Sequence, residues 1–361
     1  AYTSFGVITA YYAGSMLPTL YHMPSYEYDG YRVYTNLPAS GAFRGHGVPQ
    51  PRFAFESLLD MVAEELGLDP FEIRMRNAMD PDTRTCNALD IRSCEYKATL
   101  EQAQEVSGWK QKKGKLPRGK GIGVGCGGFV SGAGYPIYRS EFPHSNAIIR
   151  VHEDGRAASL HIAASDIGQG SDTVLPQIAA EELGIPYERI WLVDCDSVLS
   201  PVDLGSYSSR VTLMGGNAVR KAAAAVKEIL FGVAAEWLGC DKKELEAREG
   251  RIYVSRYPGL GMDWDEAARL AFSKGGPVVG TGWYQPPKDL GGGFKGRTDG
   301  TSPASSFSTA VCELSVDLET GYETVERITD FSDAGTVLNP ATFHGQGEGA
   351  RINGLGETRL E

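Results

Sequence analysis

Clusters of glycine set the first limit on what this chain can fold into. They fall at residues 121–128, 168–170, 215–216, 291–293 and 345–349. A residue without a Cβ admits positive φ and lets backbone approach a ligand closely, at a cost in chain entropy. Each cluster taken alone is explained by a tight turn. Between them lie segments of clear periodicity. Residues 53–66 (FAFESLLDMVAEEL) carry apolar side chains at helical spacing and stop at Gly67, a suitable residue beyond a helix end. Asp69-Pro70-Phe71-Glu72 then supplies an N-cap, a proline at the first helical position and an acid three residues after the cap. Residues 173–183, ended by Gly184 and Pro186, and 217–238, alanine-rich on one side and closed by Gly239, predict two more helices. Asp241 with Glu244, and Asp263 with Glu266, mark two further N-termini.

Strands show as alternation about turn residues. Residues 146–151, Asp154-Gly155 and 157–163 form one hairpin pattern; 311–317, Thr320-Gly321 and 324–329 form another. Each runs into an acidic, glycine-containing loop, at 165–170 and 332–335. The expected fold class is therefore mixed α/β (α+β), with two similar hairpin-plus-helix subdomains divided as 1–138 and 139–361. A dinucleotide-binding fold is disfavoured, since no strand–GxGxxG–helix unit occurs.

Composition narrows the function. The net charge is −11, and no dense Lys/Arg run stands out beyond the Gly- and Pro-interrupted stretch at 110–120. A nucleic-acid-binding face needs clustered positive charge and is not expected. The six cysteines are scattered with no C-x-x-C, so neither a zinc nor an iron–sulfur site is expected on this chain. Reduced thiols in a chain of 361 residues, with no apparent secretory signal and no run of about 18 apolar residues, fit a cytoplasmic protein. A start at Ala1, without methionine, and a stop at Glu361 just after a glycine-rich loop read as cuts through a longer protein.

Four segments carry polar groups that chemistry could use. Residues 36–50 hold Phe43 and Arg44 between small residues ahead of a helix; Arg44 could fork onto an anion, or be an ordinary surface arginine. Residues 166–173 (DIGQGSDT) run from a strand end into a helix. Backbone N–H groups there, with the Gln169 amide, suit a phosphate-rich or oxo-anionic ligand, and a helix capped by Ser171 or Asp172 explains the same letters. Residues 203–216 (DLGSYSSRVTLMGG) concentrate hydroxyls before the long helix, as caps or as ligand donors. The tail at 338–357 is, on spacing alone, a glycine-rich turn series.

Together and in this order, the segments are specific. The chain resembles the molybdenum hydroxylase family of xanthine dehydrogenases, aldehyde oxidoreductases, carbon monoxide dehydrogenases and 4-hydroxybenzoyl-CoA reductase. Ala42-Phe43-Arg44-Gly45-His46-Gly47 is similar to the family's Ala-Phe-Arg-Gly-aromatic-Gly loop, Gly168-Gln169-Gly170 to its Gly-Gln-Gly loop, and Gly205-Ser206-Tyr207-Ser208-Ser209-Arg210 to its serine-rich loop. Asn339-Pro340, Gln346 to Gly349 and Gly354-Leu355-Gly356 are similar to its downstream stretch. Tyr31-Arg32-Val33, Gly45-His46-Gly47 and the serine loop resemble the 4-hydroxybenzoyl-CoA reductase branch most. No cysteine stands between Asn36 and Gln50, which disfavours a carbon monoxide dehydrogenase.

The resemblance implies a molybdopterin cofactor, usually the cytosine dinucleotide in bacterial members, carrying molybdenum whose ligands come from pterin and solvent; no protein metal ligand is implied. It implies that Phe43, Arg44 and Gly45 line the metal's face. Gln169 would bond the pterin or an oxo ligand, with Gly168 and Gly170 approaching closely. Ser206, Ser208 and Ser209 would contact the polar tail, and His46 would face the substrate. A family Gly-Gly-x-Phe-Gly segment lies before Ala1; residues 291–296 look superficially similar but are misplaced for it. No catalytic residue is assigned, because the family's base glutamate falls beyond Glu361 by order along the chain. Implied partners are an iron–sulfur subunit, an FAD subunit and the missing large-subunit segments, in a hetero-oligomer. Within the enzyme class an aldehyde or N-heterocycle hydroxylase is the alternative, and a non-catalytic fragment retaining the fold is a third.

Overall fold

The structure is a computed structural model and describes residues 6–37, 41–132, 140–287, 302 and 304–360. It divides into two compact units, Ala1–Tyr138 with Pro287–Glu361, and Arg139–Pro286. The chain thus leaves the first unit, builds the second and returns. The division expected from sequence, with 139–361 as one piece, is corrected here: 287–361 belongs with the N-terminal residues. The stretch at 291–296 lies outside the described residues.

The first unit opens with α1 (Gly6–Met16), α2 (Pro49–Leu66) and α3 (Pro70–Asn77). A two-residue pair β1 (Thr83–Arg84) and β2 (Asp90–Ile91) leads to α4 (Tyr96–Val106), the one-turn α5 (Trp109–Lys112) and β3 (Lys120–Val130). Gly67 ends α2 at φ 66°, and Asp69 accepts the Phe71 N–H at 2.8 Å to start α3, both as the sequence predicts. The glycine cluster at 121–128 is not a set of turns. It lies inside β3, where Val124 and Cys126 point into the core and glycines take the alternate positions. A period-2 pattern (Ile122, Val124, Cys126) was present but diluted by residues of low strand propensity.

In the second unit β4 (Ser145–Val151), β5 (Ala158–Ile162), α6 (Ser171–Leu183) and β6 (Ile190–Asp194) come first. A π-helical turn, Val211–Gly215, then runs into α7 (Gly216–Leu238). The meander β7 (Leu245–Arg248), β8 (Arg251–Val254) and β9 (Tyr257–Asp263), α8 (Trp264–Gly275) and β10 (Val279–Tyr284) complete it. The main sheet has the order β10-β4-β5-β6; β4 and β5 form the predicted hairpin, and β5 pairs with β6 in parallel through the α6 crossover. Asp241 and Glu244 form a capping box, as their spacing predicts.

Back in the first unit, β11 (Ser305–Val316) and β12 (Glu323–Asp333) form the second predicted hairpin, and β11 pairs along its length with β3. The sheet order is β12-β11-β3. The tail expected as turns is instead the helix α9 (Pro340–Arg359). Asn339 accepts the Thr342 N–H at 3.2 Å, and Pro340 occupies the first turn. This start sustains a helix despite five internal glycines, each costing about 1 kcal/mol against alanine.

The alanine-rich side of α7 explains the tightest packing in the second unit. Ala218, Val219, Ala222 and Val226 are fully buried. A Cβ built on Gly282 of β10 would lie 2.1 Å from the Ala218 carbonyl oxygen, and one on Gly280 would lie 2.2 Å from that of Ala222. Small residues on both elements let strand and helix backbones approach. Gly282→Ala is therefore expected to cost roughly 1–3 kcal/mol through overpacking. Gly232→Ala, at an exposed α7 position with no atom within 4 Å of the new carbon, should add up to about 1 kcal/mol. Urea unfolding of both variants checks the opposite signs; equal effects would refute this packing.

Candidate cofactor-binding site

The loop between β5 and α6 is held by its own first acid. Asp166 Oδ1 accepts the Gly168 N–H at 2.7 Å and that of Gly170 at 3.4 Å, and Oδ2 accepts that of Asp172 at 3.2 Å. Burial pushes the Asp166 carboxyl up as the largest single influence. The backbone donors of Gly168, Asp172, Gly170 and Gln169 outweigh it together and hold the group below the ordinary aspartate range. Gly168 and Gly170 sit at φ 100° and 83°, which favours glycine. Gly170 occupies the cap position, so neither Ser171 nor Asp172 is the N-cap. The anion cradle expected of these N–H groups is already filled by an internal carboxylate.

Gln169 is also turned inward. Its Oε1 accepts the Ile167 N–H at 2.6 Å, and its Nε2 donates to the Ser165 carbonyl at 3.2 Å and to Ser171 Oγ at 2.9 Å. Both amide hydrogens are spoken for, which leaves one acceptor lone pair. The backbone at Gly168 faces open space, with no atom within 4 Å of an added Cβ.

The serine turn meets this loop. Ser206 Oγ donates to the same Ser165 carbonyl at 2.6 Å. Ser208 and Ser209 take φ 50° and 52°, and Gly205 takes 106°. Beneath them Arg210 is wholly buried and pairs with Asp203 at 2.6 Å. Two of the four sequence segments, separated by 41 residues, are thus brought together within the second unit.

The other two meet within the first unit. Arg44 Nη2 donates to Gln346, to its carbonyl at 2.7 Å and its Oε1 at 2.9 Å, across 302 residues of chain. Gly45, His46 and Gly47 lie consecutively at φ 90°, 48° and 87°. A Cβ at Gly47 would fall 2.4 Å from the Thr9 carbonyl oxygen, so the loop passes against α1 only as glycine. The His46 ring packs on buried Tyr12 with centroids 5.0 Å apart. Phe43 is 45% exposed.

Asp166, Ser165 and Arg210 carry the geometry and had no role from sequence. For Asp166 a signal existed: an acid two residues before a glycine at a helix start caps the turn through its own side chain. Among the described residues, no group of three or more His, Cys, Asp or Glu could hold a metal. None of the six cysteines is in a disulfide, and no described helix is long and apolar enough to cross a membrane.

Two family models, each described as a molybdopterin cofactor-binding domain, match residues 1–78 and 99–361. The chain belongs to the molybdenum hydroxylase large-subunit family. It is 31% identical to the putative xanthine dehydrogenase molybdenum-binding subunit of Escherichia coli K12, over all of this chain and 47% of that protein. The fold matches quinoline 2-oxidoreductase from Pseudomonas putida 86 at a TM-score of 0.83 (24% identity, 94% of this chain, 44% of that one). It also matches the aldehyde oxidoreductase of Desulfovibrio desulfuricans ATCC 27774 at 0.79 (25% identity, 98% of this chain, 36% of that one). The chain therefore spans less than half the length of these relatives.

The Asp166 contacts define a pH test within this family's Gly-Gln-Gly loop. Because the folded-state pKa lies below the unfolded one, the stabilisation is present above the ordinary aspartate value and is lost as pH falls through the lowered one. Asp166→Ala should speed amide exchange at Gly168 and Gly170 roughly tenfold at neutral pH, as loss of charge-assisted hydrogen bonds implies. The wild type should do so only in acid, after correction for intrinsic rates. Unchanged exchange in the variant would exclude Asp166 as the loop's anchor.

Proposed function

We propose that this chain is the molybdopterin-binding portion of the large subunit of a molybdenum-dependent oxidoreductase, working in a multi-subunit complex. The carrying observation is the junction of the Gly-Gln-Gly loop and the serine turn at Ser165, in a chain matched by the cofactor-binding family over residues 1–78 and 99–361. The pterin would be the cytosine dinucleotide, and iron–sulfur and FAD subunits would carry the electrons onward.

The residues present fit that group. At Gly168 an added Cβ would meet no atom within 4 Å, so a ligand has room to approach on that side. Gln169 keeps one acceptor lone pair and Ser206 keeps its oxygen lone pairs, so both suit N–H donors of a pterin. For Gln169 to donate to an oxo ligand, its bond to Ser171 or Ser165 must open. Ser208 and Ser209 would serve the polar tail, and Phe43, Arg44 and Gly45 the metal's face, with Arg44 oriented by Gln346. When bound, the molybdenum group supplies two-electron redox chemistry at a substrate carbon.

For the substrate, the Gly45-His46-Gly47 loop favours an aromatic acyl-CoA of the 4-hydroxybenzoyl-CoA type. The names of the relatives, xanthine dehydrogenase and quinoline 2-oxidoreductase among them, favour an N-heterocycle as the second reading. Tyr12 takes one face of the His46 ring, and the ring nitrogens are the groups that would orient a phenolic substrate. In the intact complex, His46→Phe keeps the stack and removes those nitrogens. It should lower kcat/KM for a phenolic thioester roughly tenfold or more, with little effect on an aldehyde or heterocycle. Because φ 48° suits Phe poorly, His46→Asn, which tolerates that backbone, controls for strain. Equal losses on all substrates would remove the acyl-CoA reading, and a complex purified without molybdenum and pterin would remove the cofactor reading itself.

A further inference from the structure

We infer that Arg210 is a positioning residue for the two loops of the second unit. It fixes the serine turn so that Ser206 clamps the Gly-Gln-Gly loop through the Ser165 carbonyl. The inference rests on the cofactor-binding reading above and adds a residue to it.

All five N–H donors of the Arg210 guanidinium are placed. Nε points to Met214 Sδ at 3.3 Å, in the π-helical turn before α7. Nη1 donates to Asp203 Oδ1 and to the Gly205 carbonyl, each at 2.6 Å. Nη2 donates to Ser145 Oγ at 2.6 Å and to the His144 carbonyl. Asp203 Oδ1 also accepts the Gly205 N–H at 2.8 Å. One planar fork therefore joins the start of β4, both sides of the Asp203–Gly205 bend and the approach to α7. A lysine, with three donors at one point, cannot span these acceptors.

This arrangement is poor value as stability alone. The side chains of Arg210 and Asp203 are completely buried, and Asp203 Oδ2 is buried with no hydrogen-bond partner. Apolar residues of similar volume commonly replace such a pair without loss of stability. What the pair does maintain is a backbone that resists its own conformation. Ser208 and Ser209 are consecutive non-glycine residues in the left-handed region, in the same turn as Gly205 at φ 106°. Backbone of this kind persists only where surrounding contacts over-determine it. From that turn the bond of Ser206 Oγ to the Ser165 carbonyl reaches the neighbouring loop, where Gln169 Nε2 lands on the same oxygen. Displacing the turn should loosen Gln169 as well.

The test uses the intact complex carrying Arg210→Lys, or Asp203→Asn with Arg210→Met, the latter removing both buried charges at once. Molybdenum and pterin per large subunit, Tm, and amide exchange over residues 165–172 are measured for each. Arg210→Lys should lose most of its cofactor, and the Gly168 and Gly170 amides should exchange roughly tenfold faster, the scale of a lost hydrogen-bond anchor. The paired variant should recover wild-type Tm without recovering cofactor or amide protection. Cofactor content that falls only in step with Tm, or that returns with Tm in the paired variant, would overturn the inference. If the wild-type complex itself holds no molybdenum or pterin, the proposed function fails, while the exchange measurements still decide whether Arg210 holds the loops.

Discussion

Parallel pairing of β5 with β6 is the constraint on which the second unit's candidate site depends. A parallel neighbour requires a crossover, which α6 supplies, and it puts the carboxyl ends of both strands at one edge of the sheet. The β5 end continues into the Gly-Gln-Gly loop, and the β6 end into the segment that carries the serine turn. Two stretches 41 residues apart therefore come close enough to share one carbonyl acceptor. Carboxyl ends of parallel strands are where open α/β sheets generally place ligands, because loops there are free to vary while the strands stay fixed. An antiparallel β5–β6 pair would have sent the loops to opposite edges.

The first unit reaches the same kind of convergence by a longer route. Arg44 finds Gln346 because β11 returns to β3 and carries α9 back with it. The return also explains why Thr309 on β11 meets Thr99 on α4 at 2.8 Å, and why Lys112 pairs with Glu313 at 2.6 Å. Contacts of such sequence separation carry a loop-closure cost that local structure does not repay, so long strand pairing has to do so. The 11 residue pairs between β11 and β3 are that repayment.

Legibility followed the range of the interaction. Caps and hairpins were readable because their physics spans a few residues: Asp69 on Phe71, Asp241 with Glu244, the turns at Asp154-Gly155 and Thr320-Gly321. The strand β3 was hidden by glycines that contribute no strand propensity, and α9 by glycines that read as turns, although Asn339-Pro340 is a sound helix start. Neither the return of β11 nor the parallel placement of β6 leaves a local periodicity, so neither was available from the chain itself. At the site, the motif residues were named through the resemblance to the family, while the residues that hold their loops were not named. Along the chain Asp166 reads as one acid in a glycine-containing loop, and Arg210 as the end of a serine run.

Counting donors changes what the second unit can recognise. The N–H groups of Gly168, Gly170 and Asp172 are given to Asp166, those of the Gln169 amide to Ser165 and Ser171, and the Ser206 hydroxyl to Ser165. Beside them stand acceptors, a lone pair on Gln169 Oε1 and the oxygen of Ser206. Asp172, whose carboxyl is raised by burial and then by Asp194 and Asp166, makes the neighbourhood acidic as well. A helix N-terminus in such surroundings does not attract phosphate, whatever its dipole, because a fixed carboxylate has already neutralised it. The ligand edge that fits this loop is one rich in N–H donors. On the proposed reading, a pterin ring has such an edge and its phosphate tail does not, so the ring end of the cofactor would meet the Gly-Gln-Gly loop.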